Sequence, residues 1–144
     1  MNPRYLAVLL ALSFGISAPV ASAGRFSITP EGTRYKDVQL GQGASVHYGD
    51  VATMHFVGWL ANDGQRGREL FNTRNRGKPV SFVVGTEWVM PGWNDGVVGM
   101  RAGGRRLLLV PSARAYGRKA VPGVVPAGSS LMFLIDLLKV EEPH

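Results

Sequence analysis

Apolar and polar residues alternate in several short segments of this chain, and a period of two is typical of β-strands with one buried face. The longest such segments are Val51–Leu60 and Leu131–Val140. In the second segment, Leu131, Phe133, Ile135 and Leu137 share one face. Shorter segments predict four further strands, at Tyr35–Leu40, Glu69–Asn72, Val80–Val84 and Arg105–Val110. The pattern therefore predicts a sheet of short strands joined by turns.

One segment has the period of a helix instead. Trp93, Val97 and Met100 recur at i, i+4 and i+7, which predicts a short helix over Trp93–Met100 with one apolar face. Pro91 and Gly92 precede this segment. Several strands, one helix and then two more strands predict an α+β fold in which an antiparallel sheet covers a single helix.

Three polar segments are expected to be loops. Asn62–Arg68 opens with an Asn-Asp-Gly turn signal, Arg74–Pro79 is basic, and Gly117–Gly128 carries Pro122 and Pro126.

The first 23 residues have the pattern of a secretory signal peptide. Arg4 supplies the positive charge, Leu6–Ile16 is largely apolar, and Ala21-Ser22-Ala23 predicts cleavage after Ala23. The apolar run is shorter than the ~20 residues of a membrane span, so an uncleaved anchor is the alternative. We expect residues 24–33 to form an N-terminal extension and residues 34–144 the folded domain. The expected location is the periplasm or the exterior, with no stable membrane association after cleavage.

The amino-acid composition limits the kinds of site that the chain can form. The 144 residues suffice for one domain, and 45% of them are hydrophobic. There is no cysteine, which excludes disulfides, a thiol nucleophile and a cysteine zinc site. The net charge of +6 is explained most simply by solubility.

Motifs for polar catalysis are absent from the sequence. The chain has no G-x-S-x-G elbow and no phosphate-binding loop. Its histidines, His47, His55 and His144, lack metal-ligand spacing. The acidic residues Asp63, Glu69, Asp95 and Asp136 are scattered and are interpreted as solvated charges or caps. We therefore expect neither a metal nor a cofactor.

Aromatic side chains are plentiful near the predicted loops. They are Phe56, Phe71, Phe82, Trp88, Trp93, Tyr116 and Phe133. Periodicity alone assigns them to the core, and the alternative is that several line a concave apolar site.

Five segments in order resemble motifs of the FKBP family. Met54–Leu60 is similar to its V-H-Y-x-G strand, Leu70–Arg74 to its F-D-S-S segment, and Val84–Val97 to the turn and V-I-x-G-W that open its helix. Ala115–Pro126 is similar to the A-Y-G and P-x-I-P loop, and Leu131–Leu138 to the closing L-x-F-x-V-x-L-L strand. Because the order and spacing also agree, the resemblance covers residues 34–141.

The resemblance implies a half-barrel sheet wrapped around one short helix, peptidyl-prolyl cis–trans isomerase activity and macrolide binding. The implied catalytic residues are Phe71, Asn72, Trp93, Tyr116 and Phe133. The implied substrate-binding residues are Phe56, Val80, Phe82, Val89, Met90, Val121 and Val125. In this scheme Trp93 is the pocket floor, Val89 and Met90 form the rim, and the Tyr116 hydroxyl donates to a substrate carbonyl.

The sequence departs from the family pattern at a few positions. Phe56 replaces a tyrosine of the family pattern, and Asn72 replaces an aspartate. The hydroxyl and the carboxylate that form a polar corner of the family's pocket are therefore both absent, so neither is left without its hydrogen-bond partner. Trp88 and Pro91 replace commoner acidic and basic rim residues. The Asn62–Arg68 loop is longer and is expected to enlarge one side of the mouth.

We expect a monomeric isomerase that assists the folding of exported proteins by acting on proline-containing polypeptides, with a macrolide as a further ligand. Monomer is expected because no dimerisation helix precedes the domain. One alternative is a peptide-binding folding helper with weak or no isomerase activity. Another is an electrostatic binder of nucleic acid or membrane, using Arg66, Arg68, Arg74, Arg76, Lys78, Arg101, Arg105 and Arg106. Export and the lack of interleaved aromatics favour a solvated face and no nucleic acid.

Overall fold

The computed structural model describes residues 25–143, which form seven strands and three short helical segments. The strands are β1 (Ser27–Ile28), β2 (Arg34–Gln39), β3 (Val51–Asn62), β4 (Gln65–Asn72), β5 (Val80–Val83), β6 (Arg105–Val110) and β7 (Ser130–Glu141). The α-helices are α1 (Thr73–Arg76) and α2 (Pro91–Val97), and Ser112–Arg114 is a 3₁₀ turn.

All strand pairings are antiparallel, in the order β1-β2-β6-β7-β3-β4, and β5 pairs with the first residues of β3. The two twelve-residue strands β3 and β7 lie side by side at the centre. Their alternate residues are buried, as the period of two predicts. The expected α+β fold, an antiparallel sheet covering one short helix, is confirmed.

Helix α2 packs against this sheet through side chains and through glycines. Val97 is fully buried in the same core cluster as Leu108 and Ile135. A Cβ on Gly96 would come within 2.5 Å of Leu108 Cδ1. Because glycine lacks that atom, the helix approaches β6 more closely than any other residue would allow.

Two segments that we predicted to be loops are regular structure. The Asn62–Arg68 prediction is correct for the turn at Asp63-Gly64 but wrong from Gln65 onward, where β4 begins and pairs with the end of β3 to form a hairpin. The Arg74–Pro79 prediction is also wrong in its first half, because Thr73–Arg76 is the helical turn α1. Both segments are exposed and polar, so the sequence has no apolar pattern from which to predict them. Their regular structure depends on main-chain hydrogen bonds instead.

The position of α2 also differs from the prediction. The helix covers Pro91–Val97 and not Trp93–Met100. Pro91 is at its first turn, where the missing N–H costs no hydrogen bond. Val98 is extended (φ −59°, ψ 130°) and Gly99 has φ 86°, which ends the helix before Met100. Met100 is nevertheless buried against the same core.

The predicted signal peptide lies outside the described residues, which begin at Arg25. Most of the predicted N-terminal extension packs on the domain: β1 pairs with β2, and the buried Thr33 donates its hydroxyl to Asp95 at 3.0 Å. Within residues 25–143, no helix is long and apolar enough to cross a membrane.

Candidate active site

A cleft of about 820 Å³ opens between α2, the strands β3 and β4, and the loop that precedes β7. Ten of the twelve predicted site residues line it. They are Phe56, Phe71, Val80, Val89, Met90, Trp93, Tyr116, Val121, Val125 and Phe133. These residues are spread over 78 positions of the sequence, and the antiparallel pairing brings them together.

Aromatic rings form the base of the cleft, with Trp93 at the centre. Its ring centroid is 4.7 Å from that of Phe56 and 5.6 Å from that of Phe133, both close to perpendicular. Phe71 stacks on Phe56 at 5.4 Å. Edge-to-face contacts are a favoured arrangement of aromatic pairs, and together these rings make the base an apolar surface.

The indole N–H of Trp93 is the one buried side-chain nitrogen or oxygen without a hydrogen-bond partner among residues 25–143. The indole lies among the rings of Phe56, Phe82 and Phe133, whose centroids are 4.7, 5.7 and 5.6 Å from its own and which carry no conventional hydrogen-bond acceptor. Neither Phe56 nor Asn72 leaves a further buried side-chain polar atom unpaired within residues 25–143.

Gly58 belongs to the cleft although the predicted site omitted it. It lies opposite Phe133 in the pairing of β3 with β7, and a Cβ there would come within 3.0 Å of the Phe133 ring. A glycine inside a strand pattern marks a close approach of this kind. The signal was therefore present in the sequence, but only the register of β3 with β7 identifies the ring involved.

Two predicted residues do not line the cleft. Phe82 lies behind it, with its ring centroid 5.7 Å from that of Trp93. Asn72 ends β4, and its Oδ1 accepts the N–H of Arg74 at 3.0 Å, which caps α1. The type of a residue does not by itself tell whether its side chain lines the cleft or packs behind the residues that do.

The rim segment between β5 and α2 is fixed by one side chain of the helix. Asn94 accepts the Gly85 N–H at 2.8 Å and donates to the Thr86 carbonyl, also at 2.8 Å. The Met90 carbonyl on this rim accepts the Trp93 N–H at 3.1 Å. It retains one lone pair for a second hydrogen bond.

The opposite rim is the loop that contains Tyr116. The Gly128 N–H donates to the Gly117 carbonyl at 2.9 Å, which closes the base of the loop. Arg68 of β4 donates to the Val124 carbonyl at 2.8 Å and joins the two sides of the mouth. Tyr116 lines this edge of the cleft and is 43% exposed.

Two acidic residues that we interpreted as solvated or capping form ion pairs, and neither lines the cleft: Asp95 is buried, whereas Asp136 is partly exposed. Asp95 on α2 forms two hydrogen bonds with Arg114, at 2.8 and 2.9 Å, and the hydrogen bond raises the pKa of the Arg114 guanidinium. Burial opposes the charge on Asp136, but hydrogen bonds from Arg105 and Arg74 outweigh it and lower the pKa of this carboxyl. Both pairs are structural.

The ionisable residues that line the cleft are Glu87, Tyr116 and Lys119. No group of three or more His, Cys, Asp or Glu side chains that could hold a metal occurs within the described residues. The chemical character of the cleft is therefore apolar and aromatic, with hydrogen-bonding groups at its edge.

Comparison with known proteins identifies the class to which this fold and cleft belong. The sequence model of a family described as FKBP-type peptidyl-prolyl cis-trans isomerase matches residues 42–138. An FK506-binding protein of Neisseria meningitidis serogroup A is 36% identical over 107 residues, which are 74% of this chain and 94% of that protein. The chain therefore belongs to the FKBP-type peptidyl-prolyl cis–trans isomerases, a family that needs no cofactor.

Solved structures agree with this assignment. AtFKBP13 has a TM-score of 0.69 at 31% identity, covering 80% of this chain and 98% of that one. FkpA from Escherichia coli has a TM-score of 0.71 at 31% identity, covering 94% of this chain and 61% of that one. The chain spans 28% of the length of a further relative, FK506-binding protein 4 of Rhizopus delemar, at 36% identity.

Proposed function

We propose that this chain rotates X–Pro peptide bonds in the aromatic cleft, with the proline ring placed over Trp93. The observation that carries the proposal is the set of perpendicular ring contacts of Trp93 with Phe56 and Phe133 at the base of an open cleft. This surface is apolar and lines a cleft that is open to solvent.

The mechanism follows from the resonance of the peptide bond. Rotation costs about 18–20 kcal/mol because resonance gives the C–N bond partial double-bond character. The twisted transition state has lost this resonance and is less polar at its carbonyl. An apolar ring surface stabilises it relative to the planar ground state. Each ~1.4 kcal/mol of this preference gives a tenfold higher rate, without a covalent step or a proton transfer.

The first experiment is a cis-to-trans rate assay on the peptide Ala-Leu-Pro-Phe with the purified protein. We expect catalytic turnover that a macrolide ligand blocks, because both would occupy the same base. Lack of acceleration by a folded, monodisperse sample would overturn the enzymatic proposal and leave the fold assignment intact.

A second candidate is a peptide-binding folding helper with weak isomerase activity. The observation that favours it is the lost polar corner, because Phe56 has no hydroxyl and the Asn72 oxygen is committed to Arg74. Suppression of the aggregation of an unfolded protein, together with negligible rotation of Ala-Leu-Pro-Phe, would favour this candidate over the enzyme.

We further propose that the chain is exported, acts on proline-containing segments of exported proteins and works as a monomer. The signal-peptide pattern of residues 1–23 supports export. When the full chain is expressed in a bacterium, we expect a periplasmic product that begins at Gly24. A product that keeps residues 1–23 and stays with the membrane would contradict this.

We propose no nucleic-acid partner, and the contacts of the basic residues support this. Arg74 and Arg105 both bind Asp136, and Arg106 binds Asp37 at 2.8 Å. The Arg66 guanidinium lies 5.0 Å from the centre of the Trp59 ring. Because these side chains are engaged within the domain, they do not form a free phosphate-binding row. Nucleic-acid affinity that falls steeply with salt would contradict this interpretation.

A further inference from the structure

Trp88 is the most exposed large hydrophobic residue among those described, with 90% of its surface accessible, against 8% for Trp59. A tryptophan contributes a large apolar area and is usually buried at least in part. Exposed aromatic residues beside a binding cleft are commonly contacts for a ligand. The exposure of Trp88 therefore requires an explanation that the fold does not supply.

The backbone on both sides of Trp88 is anchored. Upstream, the Asn94 side chain bonds Gly85 and Thr86, and the Thr86 hydroxyl donates to the Val83 carbonyl at 2.8 Å. Downstream, Val89 and Met90 pack against the core. The backbone that carries Trp88 is thus anchored on the rim, between the hydrogen bonds of Asn94 and the packing of Val89 and Met90.

Trp88 also belongs to an apolar edge. It lines the cleft together with Tyr116 and Val124, which are 43% and 41% exposed. At about 820 Å³ the cleft is in the size range of sites for drug-sized ligands, about 300–1,000 Å³, and a proline ring over Trp93 fills only part of it. The rest of the cleft, with its apolar edge, is available to the chain on either side of the X–Pro pair.

We infer that Trp88 is a specificity-determining residue that binds an apolar or aromatic side chain of the substrate polypeptide outside the X–Pro pair. This inference rests on the proposed function, because the occupant is the same chain whose proline lies over Trp93. It selects unfolded segments in which a proline has an apolar residue nearby.

The test uses two longer peptides that contain the same Ala-Leu-Pro-Phe core. One peptide carries Phe three residues from the proline, and the other carries Ser at the same position. One such pair has this position on the N-terminal side of the core, and a second pair has it on the C-terminal side. For the unmodified protein we expect kcat/KM to favour the Phe peptide about threefold to tenfold on one side, the range of a single aromatic contact. In Trp88→Ala this ratio should fall to near one.

Leu40→Ala is the matched control, because Leu40 is 68% exposed and lies outside the cleft; this variant should keep the full ratio. A second measurement is quenching of tryptophan fluorescence by acrylamide. The Trp88 fluorescence is the part of the signal that the Trp88→Phe variant lacks. The Phe peptide should protect this part from quenching by acrylamide, and the Ser peptide should not.

Three results would overturn the inference. The first is that Trp88→Ala retains the preference for the Phe peptide. The second is that the unmodified protein shows no preference for the Phe peptide on either side of the core. The third is that sedimentation shows a dimer of the unmodified protein that Trp88→Ala abolishes, because Trp88 would then bind a second copy of the chain. Failure of the proposed function differs from all of these, because then no peptide is rotated faster than in buffer.

Discussion

At the scale of single residues, Asp136 shows how one carboxylate organises two arginines. It binds Arg105 at 2.6 Å and Arg74 at 3.1 Å, and its side chain is 19% exposed. Arg105 is on β6, and Arg74 is on α1, next to β4. One carboxylate on β7 therefore joins elements from two parts of the sheet.

Replacement of Asp136 by Asn should lower the free energy of unfolding by about 1–2 kcal/mol at neutral pH, because hydrogen bonds to charged groups are lost. The pKa of Asp136 is lowered from 3.8 in the folded state, so its contribution is present above that value and is lost as pH falls through the folded pKa. Urea unfolding at pH 7 and pH 3 checks this. A difference between the two proteins that grows on acidification would contradict the assignment.

The structure separates the roles of three predicted catalytic residues. Phe71 and Trp93 line the cleft, whereas Asn72 caps α1. Phe71→Ala or Trp93→Ala should therefore lower kcat/KM for Ala-Leu-Pro-Phe more than Asn72→Ala does. Asn72→Ala should mainly reduce stability, by about 1 kcal/mol, and Asn72→Asp should restore it. Equal losses of activity at unchanged stability would show that the pocket is misplaced.

At the scale of elements, the close approach of α2 to β6 sets the depth of the cleft, because Trp93 is on α2. Gly96→Ala should destabilise the fold by about 1–3 kcal/mol through overpacking against Leu108. The double variant with Leu108→Ala should lose less than the sum of the two single changes, because the cavity accepts the methyl group. Strictly additive losses in denaturant unfolding would contradict this contact.

Elements differ in how well the sequence predicts them. β6 was predicted with the observed bounds, and β2, β5 and β7 to within one residue at each end, because each has an apolar pattern with turn residues at its ends. The first half of β4 and the turn α1 have no such pattern. β4 follows β3 through a tight turn at Asp63-Gly64, where both residues have positive φ. Pairing with β3 then decides the conformation of polar residues that would suit a loop equally well.

At the scale of the whole molecule, Asp95 joins three distant segments. It accepts hydrogen bonds from Thr33, which precedes β2, and from Arg114, which follows β6. Arg114 is two residues before Tyr116, so this contact also fixes the rim of the cleft relative to α2. The N-terminal segment is thereby linked to the site through one buried carboxylate.

In the ion pair of Asp95 with Arg114, removal of the arginine leaves the carboxylate without its opposite charge. The Arg114 side chain is 33% exposed and that of Asp95 only 4%, so we expect Arg114→Ala to cost about 2 kcal/mol, less than a fully buried pair. Lys139→Ala breaks the exposed pair with Glu141 and should cost well under 1 kcal/mol. Equal shifts of the urea midpoint in the two variants would show that burial of Asp95 does not matter.

The sequence by itself determined the strands with an apolar face, the single core helix and, through five ordered motifs, the family and most of the cleft. These features depend on local periodicity and on residue identity, which the chain carries directly. The tertiary structure alone decided that Asn72 caps a helix, that Asp95 and Asp136 form ion pairs with arginines, and that Trp88 faces solvent at the rim. Each of these depends on which distant residue is nearby, and that is fixed only when antiparallel pairing and the packing of α2 bring separated segments together.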